Sequence, residues 1–550
     1  MPLLSLKEYP MKRLFLLLLL VFGLMKLNAQ TFTYGDLNYE VNYGGTSVTV
    51  LDHVDGTDAT GTLTIPDHVV YGGNTYAVTI IDSYAFSYCR GLEGTLVLPN
   101  TLEEIGDDAF DYCGFTGVVT IPASVEWIGY TPFYGCDGID GFVVDPANGD
   151  YDSRDNCNAV ISSYSNELKF GCKNSTIPNG VESIAEDAFS HIGSLTSITI
   201  PSTVTEIGGW SFWFTGLTSI TIPNTVTYIG TNPFGGCAEL EEIVVEDGNP
   251  VFDSRNGCNA IIRTSTNELL AGCQNTVIPD DVTRIGDNAF YYCSTLTGEL
   301  LIPEQITSIG EYAYEKCTGL TGSLVIPNTV VYLGESAFAN CTGFDGTLTL
   351  SENLAYIGGW TFEECAGFTG SLVIPNLVTE IGSSAFEGCH GFDGKLTLPK
   401  GLNYVGSFAF ASCTGFTEAV IWAETPPTLD MYPFGGFGCT TLMVPCGCVS
   451  VYENSDWSEQ FTNIIEDCTL VSENEDNGML VYPNPTRGSV RIEAEGMTNI
   501  CVFNLLGEKV FESAVNGEAL EFDFGSLEKG LYVIRIETAK GFSTEIVTVM

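Results

Sequence analysis

Basic residues are scarce in this chain of 550 residues: 20 Lys and Arg stand against 69 Asp and Glu, a formal net charge of −49. Such a surface cannot replace the counterions of a phosphate backbone or of an anionic bilayer, which excludes nucleic acid and anionic membranes as partners. A basic partner or divalent cations stay compatible with it. Histidine is rarer still, with His53, His68, His191 and His390 in unrelated settings. No H-E-x-x-H, no G-x-S-x-G and no phosphate-cradling glycine loop occurs. Acidic pairs such as Glu103-Glu104 and Glu363-Glu364 read as a solvated coat, so no enzyme activity and no cofactor are expected.

Long hydrophobic runs are also missing, except at the start. Met11, Lys12 and Arg13 precede an apolar stretch over residues 14–25, and Leu27-Asn28-Ala29 offers a small residue before a cut. That stretch is too short to span a bilayer, so residues 1–29 read as a signal peptide and Gln30 as the mature start. The ten residues before Met11 read as an upstream start. No Cys follows the cut, so a lipid anchor is not expected, nor is a transmembrane span in the mature chain.

What the chain has in plenty is repetition. Cys293, Cys317, Cys341, Cys365, Cys389 and Cys413 recur every 24 residues, each three places after an aromatic: Phe290, Tyr314, Phe338, Phe362, Phe386 and Phe410. Phe86, Phe110, Phe133, Phe189, Phe212 and Phe234 hold the same place earlier. Each unit reads roughly L-x-I-P-x-x-V-x-x-I-G-x-x-A-F-x-x-C. In residues 324–341, alternation makes Leu324-Val325-Ile326 a strand, and Pro327 ends it for want of an N–H. Gly334 permits a tight bend, and Ala337-Phe338 opens a short helical return. One unit cannot bury its apolar side alone, so units must stack into a curved parallel sheet backed by short helical or 3-10 segments.

The beat breaks twice. Residues 139–177 and 240–278 are copies of one another at an offset of 101, with CNAVISSYSNELKFGC answering CNAIIRTSTNELLAGC. Each reads as an inserted β-hairpin, turning near Tyr164-Ser165 and near Ser265-Thr266.

The repeated SLVIPNTVVYLGESAFANC pattern of residues 323–341 resembles the BspA-like class of leucine-rich repeats, carried by bacterial surface proteins. The resemblance covers residues 60–437 and implies a leucine-rich-repeat solenoid spanning 82–437, with an N-terminal β cap at 30–81. Residues 438–468, with Tyr452 and Trp457, resemble the unit that closes such arrays. The family implies adhesion to host matrix proteins or to other bacteria, without a shared catalytic residue. After an acidic linker, 469–478, residues 479–550 are similar to the C-terminal sorting domain of type IX secretion in Bacteroidetes, a small antiparallel β-sandwich. Tyr482, Pro483, Asn484, Pro485, Gly507, Gly530 and Tyr532 carry that likeness. The ending Glu545-Ile546-Val547-Thr548-Val549-Met550 lacks the basic residue often found there. The implied destination is the outer-membrane surface of a Gram-negative cell, reached by contact with the secretion machinery.

Nineteen cysteines in an exported chain raise the question of disulfides. The ladder cysteines read as a column of buried thiols or as stacked bridges between turns. Cys157 with Cys172 and Cys258 with Cys273 face one another if the hairpin turns are centred as read, which makes them disulfide candidates. Cys446, Cys448 and Cys468 offer one more bridge. The strings DPANGDYDSRDN and EDGNPVFDSRNG read as turns or as calcium loops, although their spacing is not that of an EF-hand.

A ligand would lie along the strand-lined concave face. Its outward residues include Val97, Thr199, Thr221, Val325, Thr349 and Val373, with Glu299 and Lys395 as rare charges. A flat, hydroxyl-rich face suits weak, multivalent contact with protein or glycan. For glycan capture in nutrient uptake, Trp127, Trp210, Trp213 and Trp360 are the candidate platforms. A passive surface or biofilm component is the remaining reading.

Overall fold

The structure is a computed structural model and describes residues 30–467, 480–482, 488–504, 509–527, 529–538 and 541–549. The expected signal peptide and the acidic linker lie outside the described residues.

From residue 31 to 467 the chain winds as a solenoid whose turns expose two parallel ladders. The first is made by the L-x-I strands. Leu324–Val325 pairs with Leu348–Thr349, and Leu372–Val373 with Lys395–Leu398, Glu418–Ile421 and onward to Thr441–Pro445. Leu324, Ile326, Leu372 and Ile374 are buried while Val325 and Val373 face solvent, the period-2 alternation of a half-buried strand.

A second ladder was not foreseen. The two residues before each I-G bend pair across turns, as in Tyr356–Ile357, Glu380–Ile381, Tyr404–Val405 and Thr428–Leu429. Glu206–Ile207, Tyr228–Ile229, Arg284–Ile285, Ser308–Ile309 and Tyr332–Leu333 do the same earlier. Two residues are too few to show a strand period in sequence. Here the stacking of turns creates the strand, with the second residue buried except at Leu429 and the first turned outward except at Ser308.

The return segment is a chain of single turns with an alternating bond pattern. Ala337, Ala339 and Cys341 donate their N–H groups three residues back, to Gly334, Ser336 and Phe338. Ser336, Phe338 and Asn340 instead donate to the next turn, at Gly359, Thr361 and Glu363. Every amide from Ser336 to Cys341 thereby finds an acceptor. The alternation works because Ser336 and Asn340 take positive φ, 52° and 59°, which stops each helical turn from propagating. Close stacking also fixes the bend: a Cβ on Gly334 would sit 2.4 Å from the backbone N of Glu311.

Inside the solenoid the core aromatics form a near-parallel stack. Tyr314–Phe338, Phe338–Phe362, Phe362–Phe386 and Phe386–Phe410 lie 5.2, 5.7, 5.3 and 5.2 Å apart. Each ring is fully buried, worth roughly 1.5–3 kcal/mol of hydrophobic transfer.

The ends are covered. Thr31–Tyr34, Leu37–Val41 and Ser47–His53 form an antiparallel sheet, and Ser47–His53 passes in parallel to Asn74–Ile81, where the second ladder begins. At the other end two short helices, Val449–Glu453 and Trp457–Gln460, bury Tyr452 and Trp457 over Phe434 and Phe461. Each keeps its polar atom bonded: Tyr452 Oη donates to Ala423 O at 2.8 Å and Trp457 Nε1 to Pro427 O at 2.8 Å.

The inserted segments add three antiparallel strands each, Tyr151–Asp152, Val160–Ser162 and Glu167–Phe170 in the first copy. The last of them joins the second ladder in parallel.

The C-terminal residues form an antiparallel sheet of their own. Ser489–Asn504 lies between Lys509–Asp523 and Gly530–Thr538, and Gly541–Val549 pairs with the latter. Register shifts between Glu493 and Asn499 bend the long central strand, and Ile492, Ile500, Val502, Ile534 and Ile536 bury a shared core.

Candidate recognition surfaces and the thiol column

The first ladder presents the residues expected of a contact face. Val97, Thr199, Thr221, Val325, Thr349 and Val373 are all exposed. Val325 stands beside Thr349 in the register, Val97 beside Thr64, Thr221 beside Val244 and Val373 beside Thr397. Thr199 differs, because its segment follows the first insertion and belongs to no regular strand. Residues 175–179 and 197–199, with Pro201 and Asp155, instead line an open cleft of about 530 Å³.

The ladder cysteines are hydrogen-bond donors. Cys317, Cys341, Cys365, Cys389 and Cys413 direct their Sγ to the carbonyl of the core aromatic one turn back, at 3.0–3.1 Å. Cys113, Cys136 and Cys237 do likewise in the N-terminal half. All are free and buried. Burial raises each thiol pKa, that of Cys365 to about 12, so the column is neutral and unreactive at physiological pH.

The bridges expected within the hairpins are not formed; Cys157, Cys172, Cys258 and Cys273 are free, buried thiols. The reason is a bulge. Ile161 pairs with Leu168, yet Val160 pairs with Phe170, so the register slips by one residue toward the cysteines. The same slip separates Ile262–Leu269 from Ile261–Ala271. Cys172 therefore meets the carbonyl of Asn158, and Cys273 that of Asn259, at 3.4 and 3.5 Å. A one-residue slip also sends paired side chains to opposite faces, and each pair is split between two core clusters. Cys446 is disulfide-bonded. It follows Pro445, which pairs with Asp467; Cys468 lies outside the described residues.

In the Asp/Asn-rich loops the oxygens serve turns and arginines. Asp145 Oδ1 accepts from Ala147 N, and Asn148 Oδ1 from Asp150 N and Tyr151 N. Asp152 holds Arg154 in a fork at 2.8 and 2.6 Å, and Asp253 with Asp281 holds Arg255. Among the described residues no group of three or more His, Cys, Asp or Glu side chains is gathered to hold a metal ion.

Aromatics at the left-handed turn positions went unrecognised in the sequence, where they resembled core spacing. Tyr88, Tyr112, His191, Phe214 and Tyr292 lie two places after their core aromatic with φ of 51–60°. Trp210 and Trp213 are half-buried among them, 5.4 Å apart, with Tyr291 5.5 Å from Trp210. Burial lowers the pKa of His191. Trp127 and Trp360 are more open, at 47% and 43% exposed.

Of the sorting residues, Tyr482 ends a short strand opposite Arg491, and Gly530 and Tyr532 open the strand Gly530–Thr538. Pro483, Asn484, Pro485 and Gly507 lie outside the described residues.

Comparison with known proteins accords with this architecture. Residues 75–148, 160–258, 261–393, 361–445 and 393–465 match the BspA type leucine-rich-repeat region, and residues 480–549 match the secretion system C-terminal sorting domain. Among solved structures, a leucine-rich cell surface protein of Faecalibacterium prausnitzii is 24% identical, with 72% of this chain and 95% of that one covered at a TM-score of 0.44. A leucine-rich-repeat protein of Bacteroides ovatus is 21% identical over 79% and 99% of the chains, TM-score 0.35. The pneumococcal vaccine antigen PcpA is 16% identical over 80% and 99%, TM-score 0.36. The search of curated proteins gives no match. The sorting domain directs secretion to the outer-membrane surface, and no helix among the described residues is long and apolar enough to cross a membrane. The chain belongs to the BspA type leucine-rich-repeat family and carries a type IX secretion sorting domain at its C-terminal end.

Proposed function

We propose that the protein is a non-catalytic recognition protein of the cell surface that mediates adhesion to host matrix proteins or to other bacteria. The observation that supports this reading is the join of a sorting domain to a solenoid with exposed columns on both ladders. Adhesion by many weak contacts suits such a surface, since the first ladder offers small Thr and Val side chains and few aromatic anchors of the kind that make compact hot spots. Contact with the secretion machinery falls to the C-terminal domain.

One observation favours a second reading, glycan capture: Trp127 and Trp360 leave about half of their surface open. Probing matrix proteins, host glycans and bacterial surfaces with the whole secreted chain separates the two. Saturable protein binding, weakened by Thr199→Lys, Thr221→Lys and Thr349→Lys, supports adhesion through the first ladder. Glycan binding lost in Trp127→Ala and Trp360→Ala supports capture. Silence throughout leaves a passive coat component and contradicts both.

A further inference from the structure

Each turn places a left-handed residue two positions after its core aromatic. From residue 316 onward these are Lys316, Asn340, Glu364, Gly388, Ser412 and Gly436; before it they are Tyr88, Tyr112, His191, Phe214 and Tyr292, with Gly135 and Gly236 at two turns between. The backbone conformation is shared, so the turn does not itself call for an aromatic. A bulky side chain is disfavoured at positive φ, where Gly and Asn are at ease. The aromatics are kept for what they present.

They present a continuous stripe. Tyr88 meets Tyr112 at 5.0 Å, Tyr112 meets His191 at 5.4 Å, His191 meets Phe214 at 4.9 Å and Phe214 meets Tyr292 at 5.0 Å. Two of the chain's few cations have found it: Arg90 lies over Tyr112 at 5.7 Å and Lys316 over Tyr292 at 4.2 Å. Carboxylates lie beside it. Asp111 acts on Tyr112 within the stripe, and Glu315 lies by Tyr291, whose ring packs on Tyr292 at 4.8 Å. Asp108 by Tyr84 and Asp187 by Tyr130 border neighbouring rings outside it. Asp111 is only 7% exposed, and its Oδ1 finds no hydrogen-bond partner among the described residues.

Rings backed by carboxylates are the chemistry that holds a partly desolvated cation. A neutral sugar asks instead for an open ring face, and here Tyr112 and Trp213 are half-buried and edge-packed against His191. We propose that the aromatic stripe from Tyr88 to Tyr292 docks an extended, Lys/Arg-bearing segment of a partner protein. The proposal rests on the recognition reading and assigns it a site apart from the first ladder. Its electrostatic part weakens with salt, while its ring part does not.

The test is a fourfold variant of the secreted chain, Tyr112→Asn, His191→Asn, Phe214→Asn and Tyr292→Asn. It installs the residue type native at Asn340 and, with His neutral, leaves the net charge unchanged. The probe is a fluorescein-labelled peptide of alternating Gly and Arg, read by anisotropy at physiological salt. The intact chain binds it saturably, and the variant, its folding checked by Tm, binds ~10-fold more weakly or worse. Tyr112→Asn and Tyr292→Asn alone, each expected to weaken binding ~3-fold, answer the question if the fourfold variant does not fold. Equal binding by the variants would mean bulk charge alone and overturn the site, as would no saturable binding. Loss of neutral-glycan binding with the peptide unaffected would reassign it. A chain that still coats a protein or bacterial surface yet ignores the peptide loses this site and keeps the adhesion reading.

Discussion

Cys365 donates its thiol to the carbonyl of Phe338, one turn back, at 3.1 Å, and the same oxygen accepts the backbone N–H of Cys341 at 3.2 Å. The column is thus a set of side-chain bonds running against the direction of the amides of Ser336, Phe338 and Asn340, which donate forward to the next turn. Cys365→Ala removes the donor and leaves a small void, costing about 1–3 kcal/mol. Cys365→Thr restores a donor, as Thr215 does for Phe212 in its own turn, and costs less. Denaturant titration of both variants checks the order; an alanine variant as stable as the parent would show that the bond contributes nothing.

The thiols also set an alkaline limit. Cys365 has a folded pKa of about 12 against an ordinary 9.0, so its contribution is complete below pH 9 and is lost as pH rises toward 12. Over that window the unfolded chain has released a proton that the folded chain retains, and stability falls by roughly 1.4 kcal/mol per pH unit for this one group. Midpoints of unfolding between pH 8 and 10 are expected to decline less steeply in Cys365→Ala than in the parent. Parallel slopes would contradict the assignment.

The repeat, its strand, the proline stop and the core aromatic were legible because each leaves a residue type at a fixed beat. The second ladder was not, since Tyr356–Ile357 and its kind are too short to carry a period. The hairpin bridges misled for a related reason. Symmetry about Tyr164-Ser165 pairs Cys157 with Cys172, and nothing in the string announces the bulge at Val160 that undoes it. The aromatic stripe was hidden by the conformation of its backbone, because positive φ at Tyr or Trp has no sequence signature.

Thiol mapping tests the corrected register. After denaturation and alkylation without reductant, Cys157, Cys172, Cys258 and Cys273 are expected as alkylated peptides, and Cys446 as a cross-linked one joined to Cys468. A Cys157–Cys172 cross-link would contradict the structure.

Left-handed strain can be relieved where a ring has no stacking partner among the described residues. Trp360 sits at φ 55° and is 43% exposed, so Trp360→Asn is expected to leave Tm unchanged or raise it, by up to about 1 kcal/mol in stability. A clear fall in Tm would show that this indole packs more than it strains.

The closing unit bears on the whole array, since a solenoid frays from an uncovered end. Trp457→Ala empties a fully buried site over Phe434 and orphans the Pro427 carbonyl, a loss of about 3–5 kcal/mol. Hydrogen exchange should show turns nearest residue 434 losing protection first, and uniform loss along the solenoid would contradict the capping role.

The most direct measurement of the central claim is attachment of cells that carry the full chain, compared with cells whose chain ends before residue 480, to surfaces coated with matrix proteins or with other bacteria. The account predicts that the full chain stands on the cell surface and confers attachment, and that the shortened chain does neither. Attachment that is equal in the two, or absent while the full chain is displayed, would contradict it.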